Sequence, residues 1–128
     1  MQVITHIIDT PLDIPENHFV FDIETTGLNS KYCKVILVGI LYIKNKKTII
    51  KQFFASSQDK EKELLTEFIN HIKDFKYHIT FNGLTFDIPF LNPRLKKYDI
   101  DYELDKSYDT ESIGLCKCQQ SGRVIWCI

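Results

Sequence analysis

Three acidic residues in this sequence have the types and spacing expected of a divalent-metal site. Asp22 and Glu24 are two positions apart in a run, starting at His18, that is rich in β-formers. Residues two apart on a strand share a face, and carboxylates on a packed face are costly unless a cation compensates them. Asp87 follows a later apolar run. Three carboxylates suit Mg²⁺ or Mn²⁺, and two such ions would activate a water and stabilise the leaving oxygen of a phosphodiester.

The elements that must position these acids follow from the apolar pattern. Nearly continuous apolar runs predict strands over residues 18–24, 35–43 and 48–54, and Gly27 permits the turn that ends the first. A short polar turn makes the second and third strands an antiparallel hairpin. Residues 58–75 instead carry apolar side chains at steps of three and four, which predicts an amphipathic helix with Asp59 as its N-cap.

The second half of the chain alternates between strand and helix. A fourth strand is predicted over residues 77–81, and a short fifth strand over residues 107–109. A second helix is predicted from Phe86 onwards, because Pro89 suits a first helical turn. Pro93 is expected to break or kink that helix, since proline removes a backbone hydrogen bond.

The predicted order, β-β-β-α-β-α-β, indicates an α/β fold: a mixed sheet with helices on its faces and its later strands parallel to the first. Ligands gather at the carboxyl ends of such strands, which places Glu24 near residues 82–87. We expect one domain over residues 17–112. An N-terminal arm at residues 1–16, in which a short strand can form, precedes the domain. An atypical tail without helical periodicity follows it at residues 113–128.

Two segments resemble the motifs of a known nuclease family. Residues 21–28, Phe-Asp-Ile-Glu-Thr-Thr-Gly-Leu, resemble the first motif of the DEDD superfamily, the DnaQ-like 3′–5′ exonucleases. Residues 81–91, Phe-Asn-Gly-Leu-Thr-Phe-Asp-Ile-Pro-Phe-Leu, are similar to the second motif. The pair looks closest to the YprB-type ribonuclease-H-like domain. The resemblance implies a ribonuclease-H-like fold and metal-dependent hydrolysis of phosphodiester bonds at the 3′ end of single-stranded DNA or RNA.

The resemblance also implies roles for individual residues. The catalytic residues, which would also hold two Mg²⁺ or Mn²⁺ ions, are Asp22, Glu24 and Asp87. The implied substrate-binding residues, with Leu28 against a base and Phe86 as a stacking surface, are Thr25, Thr26, Leu28, Asn82 and Phe86. Simpler interpretations remain open: a solvated pair at a strand edge for the first two acids, a helix cap for Asp87, and core packing for Leu28 and Phe86.

The family's third motif is missing. It supplies one more metal-binding Asp, four residues after a Tyr or five after a His, and neither spacing occurs here. We therefore expect a C-terminally truncated domain whose tail arose from a frameshift or early stop, with a weakened second metal position. The missing helix would uncover apolar surface, so self-association through that sheet face is expected. The alternatives are a truncated, non-catalytic remnant that binds metal and nucleic acid, and a plain protein-interaction domain.

Composition supplies the remaining expectations. The chain has 128 residues, of which 44% are apolar and 26% charged, and its net charge of -1 gives no bulk basic charge for nucleic-acid binding. We expect no membrane span and no secretion signal, and therefore a cytoplasmic location. Arg94, Lys96 and Lys97 form a small basic cluster, for which a solvated helix face is favoured over a phosphate-binding track.

Overall fold

A computed structural model describes residues 1–80 and 86–104, and the backbone of three short strands beyond them. The strands are β1 (Gln2–Ile8), β2 (His18–Thr25), β3 (Val35–Lys44), β4 (Lys47–Phe54), β5 (Tyr77–Thr80), β6 (Tyr108–Asp109), β7 (Lys117–Gln120) and β8 (Arg123–Trp126). The helices are α1 (Glu61–Ile72), which follows a 3₁₀ turn at Gln58–Lys60, and α2 (Ile88–Lys97). No helix within the described residues is long and apolar enough to cross a membrane.

Six of the strands form one mixed sheet, in the order β1-β4-β3-β2-β5-β6. The strands β2, β3 and β4 form an antiparallel meander, and β5 pairs in parallel with β2. The pairing of β6 with β5 is also parallel, so the predicted mixed sheet with its later strands parallel to the first is confirmed. At the other edge, β1 pairs antiparallel with β4. In the tail, where the sequence showed no period, β7 and β8 pair with each other.

Side chains of β2 alternate between two cores on opposite faces of the sheet. Phe19, Phe21 and Ile23 belong to the larger core, together with the buried apolar residues of α1 and α2. Val20 belongs to a smaller core on the other face, to which Ile14 of the N-terminal segment contributes. Both helices therefore pack on the side of the larger core. The acids of β2 follow Val20 in the alternation and point to the second face.

The start of α1 and the effect of Pro93 in α2 differ from the sequence-based expectation. Asp59 is not an N-cap, because it lies inside the 3₁₀ turn and accepts a hydrogen bond from the Ser57 hydroxyl. The N-cap position of α1 is Lys60, which makes no capping hydrogen bond. In α2, Pro89 occupies the first turn as predicted, whereas Pro93 lies inside the helix without ending it.

Candidate metal and substrate site

The end of β2 carries Asp22 and Glu24 on the second face of the sheet. Gly39 of β3 lies directly across from Asp22 in the antiparallel register. Gly39 is buried, yet a β-carbon built on it meets no atom of the described residues within 4 Å, so among these residues no side chain occupies the position beside Asp22. The register of β2 with β3 shifts between Glu24 and Thr25, and the pairing continues past this irregularity to Thr25 and Val35, next to the loop that joins the two strands.

Asp87 lies immediately before α2, and its side chain points to Asp22. The residue is only 2% exposed. Although Asp87 occupies the N-cap position of α2, it makes no capping hydrogen bond, so the simpler interpretation as a helix cap does not apply. Its carboxyl group instead shares a hydrogen bond with that of Asp22. Its Oδ2 atom has no hydrogen-bond partner in the described part of the chain.

The contact with Asp22 changes the protonation of Asp87. Burial, and then the charge of Asp22 and the hydrogen bond to it, raise the pKa of Asp87 to about 8. At neutral pH the protonated Asp87 therefore donates its hydrogen bond to the Asp22 carboxylate. Once Asp87 loses its proton, a divalent cation would compensate the two negative charges that the proton now prevents from facing each other. The carboxyl oxygens of the pair, among them the buried and unpartnered Oδ2 of Asp87, have the chemistry that suits a hard cation such as Mg²⁺ or Mn²⁺.

Glu24 does not complete a three-ligand cluster with this pair. Among residues 1–80 and 86–104, no group of three or more His, Cys, Asp or Glu side chains has the arrangement of a metal site. Glu24 is half-buried and lies on the same strand face as Asp22, two residues closer to the strand end. The structure thus brings Asp22 and Asp87 into contact and leaves Glu24 beside them as a further carboxylate on that face.

A cleft of 370 Å³ lies between the β2–β3 loop and the start of α2. Its lining residues are Leu28, Asn29 and Ser30 from the loop, and Phe86, Pro89 and Phe90 from the helix side. Leu28 is 87% exposed, which excludes core packing as its role. Phe86 is half-buried, and its ring centroid lies 5.4 Å from that of Phe90. The two residues expected to contact a nucleobase therefore line the same cleft.

Thr25 and Thr26 fix the shape of the loop beside this cleft. The Thr25 hydroxyl donates to the Gly27 carbonyl at 2.6 Å. The Thr26 hydroxyl accepts a hydrogen bond from the Lys34 amide at 2.9 Å, and the Thr26 amide donates to the Lys34 carbonyl at 2.8 Å. Contact of either hydroxyl with a nucleotide stays a prediction. Asn82, the remaining predicted substrate-binding residue, lies outside the described residues.

Comparison with known protein families decides the assignment. A family profile described as RNase_H superfamily matches residues 19–122. The chain belongs to the RNase_H superfamily. The match includes the elements β2 to α2, which carry both acidic motifs, so the predicted ribonuclease-H-like fold and family are confirmed. The finer assignment to the YprB type stays a prediction.

Proteins similar to this RNase_H superfamily chain include DNA polymerases. The DNA polymerase III PolC-type of Ureaplasma parvum is 31% identical over 88% of this chain, and that of Mycoplasma genitalium is 31% identical over 63%. The chain spans only 9% and 7% of the lengths of these two relatives. A solved family B DNA polymerase of Pyrobaculum calidifontis has a similar fold, with a TM-score of 0.54 and 20% identity over 65% of this chain and 11% of that chain.

Two features beside the site differ from what the sequence suggested. Arg94 does not belong to a solvated basic cluster, because it is 3% exposed and forms an ion pair with Glu61. The sequence does indicate this burial, because Arg94 lies four residues after Phe90 on the buried side of α2, whereas the neighbouring lysines do not. Gly27 has no left-handed φ. A β-carbon there would lie 2.6 Å from the Cys33 sulfur, so close packing requires this glycine.

Proposed function

We propose that this chain is a metal-dependent exonuclease-type hydrolase that removes nucleotides from the 3′ end of single-stranded DNA. The observation that carries the proposal is the contact between the carboxyl groups of Asp22 and Asp87. One acid comes from β2, and the other follows its parallel neighbour β5, where α/β sheets bind their ligands. The PolC-type DNA polymerases among the relatives favour DNA as the substrate.

In this proposal each residue of the candidate site has a defined task. Asp22 and Asp87 hold Mg²⁺ or Mn²⁺, and Glu24 supplies a further carboxylate. When bound there, the cation would supply the Lewis acidity needed to activate a water and to stabilise the leaving oxygen. Asp87 must lose its proton before it can ligate. Leu28 and Phe86 hold the terminal base in the cleft, a mode of binding that tolerates any base.

A cleavage assay with matched variants tests the proposal. The wild-type chain, Asp22→Asn and Asp87→Asn are incubated with Mn²⁺ and single-stranded DNA or RNA labelled at its 5′ end. We expect stepwise shortening of DNA by the wild type and loss of that activity in both variants. The exposed Asp13 gives the control Asp13→Asn, which should cut like the wild type. Equal cutting by all four proteins would reveal a contaminating nuclease and remove support for the proposal, and preferred shortening of RNA would reassign the substrate.

A non-catalytic remnant is the second candidate function. It is favoured by the lack of a three-ligand cluster within residues 1–80 and 86–104, and by the absence of the third motif from the sequence. Such a protein would bind Mn²⁺ and single-stranded DNA without shortening it, and Asp22→Asn would lose the metal binding. Binding without cutting by the wild type therefore selects this candidate.

We also propose that the chain self-associates through the second face of the sheet. Leu37 of β3 and Phe54 of β4 are paired in register on this face and are half-buried. Light scattering over a wide concentration range tests whether the chain associates. A monomer at every concentration, with a concentration-independent thermal transition, would contradict the expectation.

A further inference from the structure

A buried ion pair lies next to the cleft. Arg94 and Glu61 are 3% and 0% exposed. The Nε atom of Arg94 donates to Oε2 of Glu61 at 3.0 Å, and its Nη2 donates to Oε1. The same carboxylate accepts hydrogen bonds from the Val35 amide at 2.7 Å and from the Tyr98 hydroxyl at 2.5 Å. Burial alone would raise the pKa of Glu61, but these hydrogen bonds together lower it, so the carboxylate is ionised and holds the guanidinium in place.

The remaining nitrogen of this guanidinium joins the two walls of the cleft. Nη1 of Arg94 donates to the Ser30 carbonyl at 3.1 Å. Ser30 lines the loop wall, and Phe90, one helical turn before Arg94, lines the helix wall. Other bonds, such as that from the Cys33 amide to the Asn29 carbonyl at 2.8 Å, hold the loop's own shape. In residues 1–80 and 86–104, the Arg94–Ser30 bond is the one hydrogen bond between this loop and α2.

We propose that Arg94 is a positioning residue that sets the width of the cleft between Leu28 and Phe86. Its guanidinium is buried and each of its three nitrogens already donates a hydrogen bond, so Arg94 acts on a nucleotide through the Ser30 loop and not through direct contact with a phosphate. A buried ion pair is by itself weak evidence of a stabilising role, because apolar residues often replace such pairs without loss of stability. The identity of the ligand, a terminal nucleotide of single-stranded DNA, rests on the proposed function.

The test compares Arg94→Lys with the matched variant Tyr98→Phe. Lysine replaces the three separate nitrogens that bond Glu61 and the Ser30 carbonyl with a single one, so it loses the forked geometry of Arg94. Tyr98→Phe removes one hydrogen bond to Glu61 and leaves the Ser30 bond intact. Amide hydrogen exchange of the loop, residues 28–34, is measured alongside kcat and KM on single-stranded DNA. For Arg94→Lys we expect about tenfold faster loop exchange and about tenfold higher KM at nearly unchanged kcat, the size expected for one hydrogen bond to a charged group. Tyr98→Phe should change neither.

Each outcome of this test either supports or overturns the positioning role of Arg94. Loop exchange and KM that are unchanged in Arg94→Lys, or a loss confined to kcat, overturn the positioning role while leaving a cutting wild type as an exonuclease. A wild type that does not cut refutes the proposed function, and the exchange data then decide alone whether Arg94 fixes the loop. If Arg94→Lys does not fold, Glu61→Gln replaces one acceptor oxygen with an amide donor and loosens the guanidinium. The same direction of change is expected from it, and wild-type exchange would refute the inference.

Discussion

The carboxyl group of Asp87 hydrogen-bonds to that of Asp22, although one residue precedes α2 and the other lies within β2. Two acids in contact at a buried position destabilise each other when both are ionised. A fold tolerates this arrangement when a proton or a cation occupies the space between the oxygens. The contact therefore links the stability of the fold to pH and to divalent metal.

The first prediction concerns the pH dependence of stability in the metal-free protein. Asp87 has a folded pKa of about 8 against an ordinary value of 3.8, so the folded chain retains a proton that the unfolded chain releases. The free energy of unfolding should therefore fall as the pH rises from 3.8 to about 8, by up to about 1.4 kcal/mol per pH unit. Chemical denaturation of the wild type and of Asp87→Asn at a series of pH values measures the difference.

Two controls accompany this prediction: the variant Asp87→Asn and the addition of metal. Asp87→Asn has no carboxyl proton to lose, so its stability should lack this fall with pH. Saturating Mn²⁺ at pH 8 should raise the melting temperature of the wild type and not that of Asp87→Asn, because a ligand that binds only the folded state stabilises it. Parallel stability curves for the two proteins over the whole range would contradict the raised pKa.

The second prediction concerns Leu28. Because its side chain is 87% exposed, Leu28→Ala should change the free energy of unfolding by less than about 0.5 kcal/mol. It should nevertheless raise KM for single-stranded DNA several-fold, since the base loses one wall of its cleft. The matched control is Tyr32→Ala, which removes another exposed apolar side chain, 75% exposed, from the same loop and does not line the cleft. Equal effects of both substitutions on KM would argue against the cleft as the base-binding site.

The sequence predicts this fold well where one local pattern dominates. The strand predicted to start at His18 ends at Thr25, close to the expected Glu24, because a continuous run of β-formers occupies the centre of a sheet. The ligand rule for parallel strands also anticipated that Asp87, which follows β5, lies near the acids of β2. Patterns of this kind depend on neighbours in the sequence, so they can be interpreted without coordinates.

Contacts between distant residues are harder to predict. Arg94 and Glu61 are 33 positions apart, and nothing in the local spacing of either residue indicates the other. Two lysines near Arg94 made a solvated cluster the simpler interpretation, although its helical position places it with Phe90 on the buried side. Gly27 was correctly expected at the end of a strand, but its cause is the tertiary approach of Cys33 and not its backbone angle.

The third prediction tests that approach. In Gly27→Ala the new methyl group would lie 2.6 Å from the Cys33 sulfur, so the loop or the Cys33 side chain must move. Such overpacking should cost about 1–3 kcal/mol of unfolding free energy. Cys33→Ala removes the sulfur, so the double variant should recover most of this loss. Denaturation of all four proteins in a double-mutant cycle gives the coupling energy, and additive losses would mean that the cysteine is not the cause.

The fourth prediction concerns Gly39, which lies across from Asp22 and leaves space that no side chain of the described residues occupies. A hydrated cation on the Asp22 carboxylate needs such space. Gly39→Ala should fold normally, because its β-carbon meets no described atom within 4 Å, and should weaken Mn²⁺ binding only slightly. Gly39→Leu fills the same space and should weaken Mn²⁺ binding, measured by calorimetry, by about tenfold or more, as expected if an added group displaces ordered water without replacing its hydrogen bonds. Near-UV circular dichroism identifies a misfolded variant. A correctly folded Gly39→Leu with wild-type Mn²⁺ affinity would show that the cation does not use this space. The cation would then have to bind on the opposite side of the Asp22 carboxylate.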